Sequence, residues 1–354
     1  MPTVDQFVGC LLGTAVADAF ALPYEEVTKR RALRLLGEPN RHRFLFGRGM
    51  VSDDTEHSCM VAHSLVLHPH DPRRFELQLA RSMKWWLLGC PAGIGRATLK
   101  ACVRLWLGVP PAKSGVRSAG NGPAMRAAIV GVASQDLEKL VELNRVSSRI
   151  THKDPKAEYG ALAISLAAHL AASDPSVSPR AYLDRFVSLP NASDEAWQEL
   201  VELLHAVVDS AEAGGSTLDF AIQLGLEKGV SGYVYHSVPV ALHAWMTHRD
   251  DFASAVRNVI RCGGDTDTVA AMAGGIIGAQ FGPDCIPRDW LDGMAEPCYD
   301  GSYLSQLGQS LFEARPQTAE TAPPKFRWYY LIPRNAVFIA TVLIHGFRRL
   351  LPPY

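Results

Sequence analysis

The spacing of apolar residues restricts this chain to a helical fold. Apolar side chains recur three and four positions apart in stretches such as AEYGALAISLAAHLAAS (157–173) and DEAWQELVELLHAVVDSAEA (194–213), as in helices that bury one face. Runs in which β-branched or aromatic residues alternate with polar ones are nearly absent. Hydrophobic residues make up 47% of the 354 positions, which is enough for a substantial core. We therefore predict an all-α bundle.

Charge and cysteine usage exclude several classes of protein. The 35 basic and 36 acidic residues nearly cancel and no basic run stands out, so we expect no nucleic-acid partner. The seven cysteines are scattered and contain no C-x-x-C pair, which argues against a disulfide framework or a zinc site. The N-terminus has an early acidic residue and lacks the basic start of a secretory signal, so we expect it to belong to the fold. These features predict a cytoplasmic protein with reduced thiols.

A segment rich in Pro and Thr divides the chain near its end. We predict one domain over residues 1–313, a linker over 314–325 and an apolar tail over 326–354. Within the tail, Pro333 and Arg334 leave an apolar run of about a dozen residues, shorter than a bilayer span requires. The tail must be covered by the body, by a partner or second copy, or by shallow membrane association. We favour packing or a protein contact over the membrane.

Two clusters of oxygen-bearing side chains stand at the start of helical stretches. The first is SDDTEHS (52–58), and the second is GGDTDT (263–268), about two hundred residues later. Helix capping alone explains either cluster, but a cap needs only one such residue. Four carboxylates brought together repel unless cations lie among them, and a set of Asp, Ser and Thr oxygens suits Mg²⁺ or Mn²⁺ rather than zinc. Together the clusters predict a two-metal centre.

Two further motifs are weaker. In SAGNGPAMRAA (118–128) small residues open a helix, whose exposed amides suit a phosphate or diphosphate. Met125 occupies the third glycine position of the dinucleotide-binding pattern and no strand precedes it, so we do not predict a Rossmann unit. In THKDP, His152 precedes a helix, where a structural, hydrogen-bonded histidine is the alternative to a functional one.

Six segments in this order resemble the ADP-ribosylglycohydrolase family over residues 8–282. They are GCLLGTAVADAFALPYE, SDDTEHS, GNGPAMRAA, ITHKDP, GYVYHSVPVALHAW and GGDTDTVAAMAGGIIGA. The resemblance implies an all-α orthogonal bundle with two Mg²⁺ or Mn²⁺ ions in a cleft. It also implies an enzyme that removes ADP-ribose from modified side chains. The sequence departs from the family at Ala17, where a glycine is usual before the aspartate.

The resemblance assigns roles to individual residues. The implied metal ligands are Ser52, Asp53, Asp54, Asp265, Asp267 and Thr268. A proton from the attacking water would pass to Asp53, Asp54 or Asp267, and the early acidic residue of the family falls on Glu25. The implied contacts with ADP-ribose are Gly120, Asn121, Gly122 and Met125 at the diphosphate, His152 at the distal ribose or phosphate, and Tyr233 or Tyr235 at adenine. The two tyrosines read equally well as core aromatics.

The most specific expectation concerns which glycosidic bond is cleaved. The resemblance implies an N-glycosidic bond to arginine, with an O-linked bond to serine as the alternative. Gly93 stands where many arginine-directed relatives have an aspartate, so Glu25 or Glu26 takes over that role or guanidinium recognition is looser. A non-catalytic protein that binds ADP-ribose is a further alternative, although every expected ligand type is present. The implied partner is an ADP-ribosylated protein: an endogenous target, the target of an ADP-ribosylating toxin, or the toxin itself.

Overall fold

A computed structural model of the chain describes residues 2–189, 194–316 and 321–352, and these residues confirm the all-α prediction. Within these ranges the backbone forms helices and isolated bridges but no strand. The α-helices, in chain order, are α1 Val4–Ala21, α2 Lys29–Leu36, α3 Asp53–Leu67, α4 Pro72–Leu87, α5 Arg96–Trp106, α6 Pro111–Ser114, α7 Ala128–Ala133, α8 Leu137–Arg149, α9 Pro155–Ser173, α10 Pro179–Val187, α11 Glu195–Glu212, α12 Thr217–Gln223, α13 Val234–Thr247, α14 Phe252–Cys262, α15 Thr266–Phe281, α16 Arg288–Asp292, α17 Gly301–Glu313 and α18 Leu331–Arg349.

Helices α1 and α15 form a closely packed pair at the centre of the molecule, and nearly every residue of both is buried. Glycines permit this approach, because a Cβ atom added at Gly9 or Gly278 would overlap the backbone of the facing helix. Gly274 lies opposite Ala17, so the methyl group of Ala17 fits without crowding. Helices α3, α7, α9, α13, α14 and α17 surround this pair. The small residues after the second acidic cluster therefore hold its helix against α1.

The C-terminal helix α18 packs on the body through polar residues. Arg334, Asn335 and Thr341 are buried together with Phe338, and Asn335 donates a hydrogen bond of 2.6 Å to the carbonyl oxygen of Gly89. The linker expected over 314–325 begins where α17 ends, but residues 317–320 lie outside the described part of the chain. The tail is thus a long helix with one face on the domain.

Among the described residues, two helices are long and apolar enough to cross a membrane by length and composition alone. One is Val4–Tyr24, of which 94% of the apolar window is buried inside the protein, as expected of a core helix. The other is Trp328–Arg349, of which only 22% is buried. The sequence argument that Pro333 interrupts the tail was wrong, because Pro333 lies in the first turn of α18, where proline is tolerated.

Candidate metal centre and substrate cleft

The N-termini of α3 and α15 meet, which brings the two acidic clusters together. The Thr268 hydroxyl donates a 3.3 Å hydrogen bond to Asp54 Oδ2, and the Ser52 hydroxyl donates to the same oxygen at 2.8 Å. Asp54, Asp267 and Thr268 are all buried. Side chains separated by about two hundred residues therefore share one site, as the sequence predicts.

The clusters differ in how far capping accounts for them. Ser52 is a true cap, since its side chain accepts a 3.2 Å hydrogen bond from the Asp54 amide. Asp265 occupies the N-cap position of α15 but makes no side-chain cap hydrogen bond. Its carboxylate accepts a 2.7 Å bond from Asn121 Nδ2 instead, so it points into the cleft. Capping alone does not explain the second cluster.

Asp18 is a site residue to which the sequence analysis gave no role. It lies fully buried in α1, and its carboxylate accepts hydrogen bonds from the Ser52 amide at 2.9 Å and the Thr55 hydroxyl at 2.5 Å. A carboxylate inside an apolar helix must find such partners, because an unpaired buried charge is costly. That requirement was the signal available in the sequence. Asp18 holds the start of α3 against the central helix.

Carboxylate oxygens converge in two triplets suited to a cation. Asp18, Asp54 and Asp267 each offer an oxygen within 4.8 Å of the others, and so do Glu25, Asp265 and Asp267. Asp54 Oδ1 and Asp267 Oδ1 are buried and lack a hydrogen-bond partner among the described residues. Buried oxygens without donors fit hard divalent ions, which take oxygen ligands. The residues present thus suit two neighbouring cations, with Asp267 common to both.

Because the carboxyl groups of this cluster are buried and repel one another when ionised, they retain protons in the absence of cations. Burial raises the pKa of Asp18 to about 7. Burial first, and nearby carboxylates second, raise the pKa values of Asp53, Asp54 and Asp267 well above their usual range. The raised pKa values show that negative charge is concentrated here at a cost in stability, and such shifted pKa values are common at functional sites.

Glu25 reaches the site on a short turn after α1. The Glu26 amide donates a 2.8 Å hydrogen bond to the carbonyl oxygen of Gly264, which joins this turn to the loop before Asp265. Gly264 has φ +80°, and a Cβ atom there would overlap Val230, so only glycine permits the junction. Burial raises the pKa of Glu25 to about 7, Asp265 adds to the rise, and attraction from Arg349 opposes it.

The glycine-rich loop lies directly against His152. A Cβ atom on Gly122 would approach His152 Cε1 to 2.9 Å, and one on Gly120 would lie 3.2 Å from Nε2. The Thr151 hydroxyl lies 2.9 Å from His152 Nδ1 and accepts a 2.8 Å bond from Arg126 Nη2. The Thr151 hydroxyl also lies 3.5 Å from the Ser148 carbonyl oxygen, and its contact with Nδ1 fixes the ring so that Nε2 faces the loop.

Arg126, within the GNGPAMRAA motif, is a positioning residue to which the family resemblance assigned no role. It is fully buried, and Nη1 donates to the Gly122 carbonyl oxygen at 2.9 Å while Nη2 reaches the Ser147 carbonyl oxygen at the same distance. Burial, followed by the charge of Arg126, lowers the pKa of His152 to about 3. His152 is therefore neutral at physiological pH, and Thr151 holds its ring in place beside the loop.

These groups line one cavity of about 450 Å³. The predicted site residues on its wall are Glu25, Ser52, Asp53, Asp54, Gly120, Asn121, Gly122, Met125, His152, Asp265, Asp267 and Thr268. The two tyrosines do not line it. Tyr235 is buried, with its hydroxyl on the Ala196 carbonyl oxygen, and the Tyr233 hydroxyl accepts from Lys156. Phe338 and Val342 of α18 complete the wall.

Comparison with known proteins supplies an independent view of this site. The model of the ADP-ribosylglycohydrolase family matches residues 1–321. The matched range contains both acidic clusters, the glycine-rich loop and His152, but it ends before α18. The cavity is therefore built from the family domain and closed on one side by a helix beyond the family match.

Individual relatives are distant. An uncharacterised protein of Archaeoglobus fulgidus is 29% identical over 87% of this chain and 96% of its own length. The ADP-ribosyl-[dinitrogen reductase] glycohydrolase of Rhodospirillum rubrum is 27% identical over 81% and 89%, and human ADP-ribosylhydrolase ARH3 is 29% identical over 56% and 59%. A solved structure titled ADP-ribosylglycohydrolase-related protein complex has 24% identity and a TM-score of 0.61 over 88% of this chain and 99% of its own, a likeness in fold alone.

Proposed function

The chain belongs to the ADP-ribosylglycohydrolase family, and from that premise we propose that it removes mono-ADP-ribose from modified protein side chains in a reaction that depends on Mg²⁺ or Mn²⁺. One observation supports this most directly. Two carboxylate triplets that share Asp267 lie in the same cavity as the glycine-rich loop and His152. The carboxylates and their cations would stabilise charge at the anomeric carbon, and the wall beside them would hold the diphosphate.

The wall opposite the carboxylates suits the diphosphate. Gly120 and Gly122 let the neutral His152 ring pack directly against the backbone of the loop, which places Nε2 beside the bound diphosphate in this proposal. Asn121 connects the glycine-rich loop to the second acidic cluster, because its side-chain amide donates a hydrogen bond to Asp265. The loop and the second acidic cluster are thus fixed relative to one another before substrate enters, which favours a bound sugar at the carboxylates.

Water attack on the anomeric carbon needs a proton acceptor. Asp53 lines the cavity and belongs to neither triplet, so we assign it this role. It accepts the proton of the attacking water while the bond between the anomeric carbon and the protein side chain breaks. That side chain keeps the bonding electrons and takes up the proton that Asp53 releases, which returns Asp53 to its carboxylate form. Divalent cations held by the two triplets, with the Ser52 and Thr268 hydroxyls beside them, would supply Lewis acidity and orient the ribose hydroxyls.

For the acceptor side chain, we propose arginine first. Glu25 and Glu26 both line the cavity, and because Glu25 belongs to the second triplet, Glu26 supplies the carboxylate that a guanidinium requires. A serine linkage is the second candidate, and specific observations favour it. Gly93 lines the cavity without offering a carboxylate, and Leu22, Phe338 and Val342 give the same wall an apolar surface. Arg349 interacts electrostatically with Glu25 and would repel a second guanidinium there.

Hydrolysis of matched arginine-linked and serine-linked ADP-ribosyl proteins tests this assignment. We expect the wild type to favour the arginine-linked substrate and Glu26→Gln to lose that preference, while Glu38→Gln, an exposed carboxylate elsewhere, behaves as wild type. Glu25→Gln should lower the turnover of both substrates, because Glu25 belongs to the second triplet. Faster cleavage of the serine-linked substrate by the wild type would establish the second candidate. Tight binding of ADP-ribose without turnover of either substrate would show a non-catalytic binding protein.

The cellular compartment and the protein partner of the enzyme are also proposals. All seven cysteines are free and most are buried, which suits a reducing compartment, so we place the enzyme in the cytoplasm. Its partner there is an ADP-ribosylated protein: an endogenous target, a toxin's target or the toxin. Cell fractionation and recovery of ADP-ribosylated proteins on the inactive Asp267→Asn variant would test both parts.

A further inference from the structure

Helix α18 has an inverted arrangement of polar and apolar residues. Its buried side chains include Arg334, Asn335 and Thr341. Its outward side chains are apolar, and they include residues exposed by 72% at Ile332, 64% at Ile344 and 66% at Phe347. A surface helix of a soluble protein normally shows the opposite pattern. Polar residues facing protein and apolar residues facing outward are typical of helices in contact with lipid or a partner.

The outward face is continuous. The exposed positions from Ile332 to Phe347 include Val337 and Leu343 and carry no charged side chain. At the rise of an α-helix, this stretch is about 23 Å long. Single exposed apolar residues are common on soluble proteins, but a contiguous apolar strip of this length marks an interaction surface.

The apolar surface continues beside the start of the helix. A second cavity, of about 430 Å³, is lined there by the rings of Trp85, Trp86, Tyr299 and Trp328. Its exposed lining residues include Leu88, which is 55% exposed. Apolar surface therefore extends beyond α18 onto the neighbouring part of the domain.

The two ends of the strip are suited to a membrane interface. Trp328, Tyr329 and Tyr330 are exposed just before α18, and such amphipathic rings favour the level of the lipid head groups. Arg348 is exposed at the other end. The basic helix α2 adjoins that end, because Arg31 donates hydrogen bonds to the backbone carbonyl oxygens of Arg349 and Leu351.

Charge in the tail is of one sign. Residues 321–354 contain five cations and no Asp or Glu, in a chain that is nearly neutral overall. Arg334 is buried between Glu56 and Glu296, and Arg327 pairs with Asp300, so the tail's exposed charge comes chiefly from Lys325 and Arg348. A cationic segment beside an apolar strip complements anionic lipid, with about 1 kcal/mol gained per surface cation. Two copies joined through this face would instead bring like charges together, which opposes self-association.

We propose that the outward face of α18, together with the aromatic residues 328–330 and the adjoining basic end of α2, docks the enzyme on an anionic lipid bilayer. The helix lies along the surface and does not cross it. Arg334 sets this orientation, because its ion pairs with Glu56 and Glu296 are buried and hold the helix on the domain. This inference does not depend on the reaction assigned above. One face of the tail packs on the domain, which is one of the two arrangements favoured above, and for the outward face this proposal departs from the preference for a protein contact over the membrane.

Vesicle flotation of the full chain tests the proposal. We expect the wild type to float with vesicles of mixed phosphatidylcholine and phosphatidylserine, to bind pure phosphatidylcholine more weakly, and to be released by high salt. The double variant Ile344→Asp/Phe347→Asp should lose at least about tenfold in binding, since it places charge in the apolar strip. Val187→Asp, at an exposed apolar residue on α10, is the matched control and should bind as wild type.

Tryptophan emission and melting temperature provide two further measurements. Blue-shifted tryptophan emission on addition of the mixed vesicles should diminish in Trp328→Phe, because this exposed ring is expected to enter the interface. All variants should keep the wild-type melting temperature, since the altered residues are exposed. Absence of wild-type binding to the mixed vesicles overturns the proposal. So does a concentration-dependent oligomer that the double variant abolishes, which would identify a second copy as the occupant.

Discussion

Arg334 and Glu56 form a buried ion pair, with 2.7 Å between Nη1 and Oε1, across 278 positions of the chain. Glu56 lies in the first turn of α3, directly after Asp53 and Asp54, and Arg334 also pairs with Glu296. The C-terminal helix is therefore anchored on the helix that supplies the first acidic cluster. Loss of the ion pairs made by Arg334 should therefore lower the free energy of unfolding of the whole domain.

Arg334→Met should lower the free energy of unfolding by about 3–5 kcal/mol, because it leaves two buried carboxylates without a counter-charge. The control is Arg327→Met, which removes the partly exposed pair with Asp300 and should cost less than about 1 kcal/mol. Urea denaturation measures both. A further change, Glu296→Gln in the Arg334→Met background, should restore part of the loss, and additive losses would show that the pairing carries no energy.

Divalent cations should raise the melting temperature, because they bind the folded carboxylate cluster and not the unfolded chain. A cation at one hundred times its dissociation constant stabilises by about 2.7 kcal/mol. Asp267→Asn should abolish the shift, since Asp267 contributes to both triplets. The exposed Asp250→Asn should retain it. Full activity of folded Asp267→Asn in chelator would refute the two-metal interpretation.

The cation-dependent shift should grow as pH rises from about 5 to about 8. Without cations, the raised pKa of Asp18, about 7, means that the folded protein keeps a proton that the unfolded chain has already released. Its contribution to stability is therefore present at low pH and lost as pH rises through 7, and Asp54 and Asp267 act in the same direction. Cations replace those protons. Thermal scans with Mg²⁺ or chelator across this range measure the difference, and a pH-independent difference contradicts the account.

Gly278→Ala should destabilise the protein by about 1–3 kcal/mol or more, because the new methyl group overlaps the Gly9 carbonyl in the facing helix. Gly346→Ala is the matched change in an exposed helix, where a Cβ atom meets nothing within 4 Å. It should stabilise by about 0.5–1 kcal/mol through helix propensity. Equal effects of the two changes would show that the close approach of α1 and α15 does not limit stability.

The sequence predicted the parts of this site that follow from local pattern. Helical periodicity revealed the fold class, and two runs of oxygen donors at helix starts revealed that Asp54 and Asp267 share a site. Contacts between distant elements were not accessible in the same way. Asp18 reads as one polar residue in a core helix, and its role appears only when α3 packs beside it. Likewise, no local signal placed Phe338 and Val342 on the cavity wall, because their position depends on the ion pair made by Arg334.

The position of α18 also has a thermodynamic consequence. One side of this helix forms part of the reaction cavity, through Phe338 and Val342, and the other side is open to its surroundings. If docking changes the affinity of the cavity for ADP-ribose by some factor, linkage requires that ADP-ribose change the affinity for the docked surface by the same factor. A modified substrate in the cavity would then strengthen or weaken the attachment of the enzyme to that surface. The affinity for ADP-ribose and the affinity for the surface become two measures of one coupling free energy.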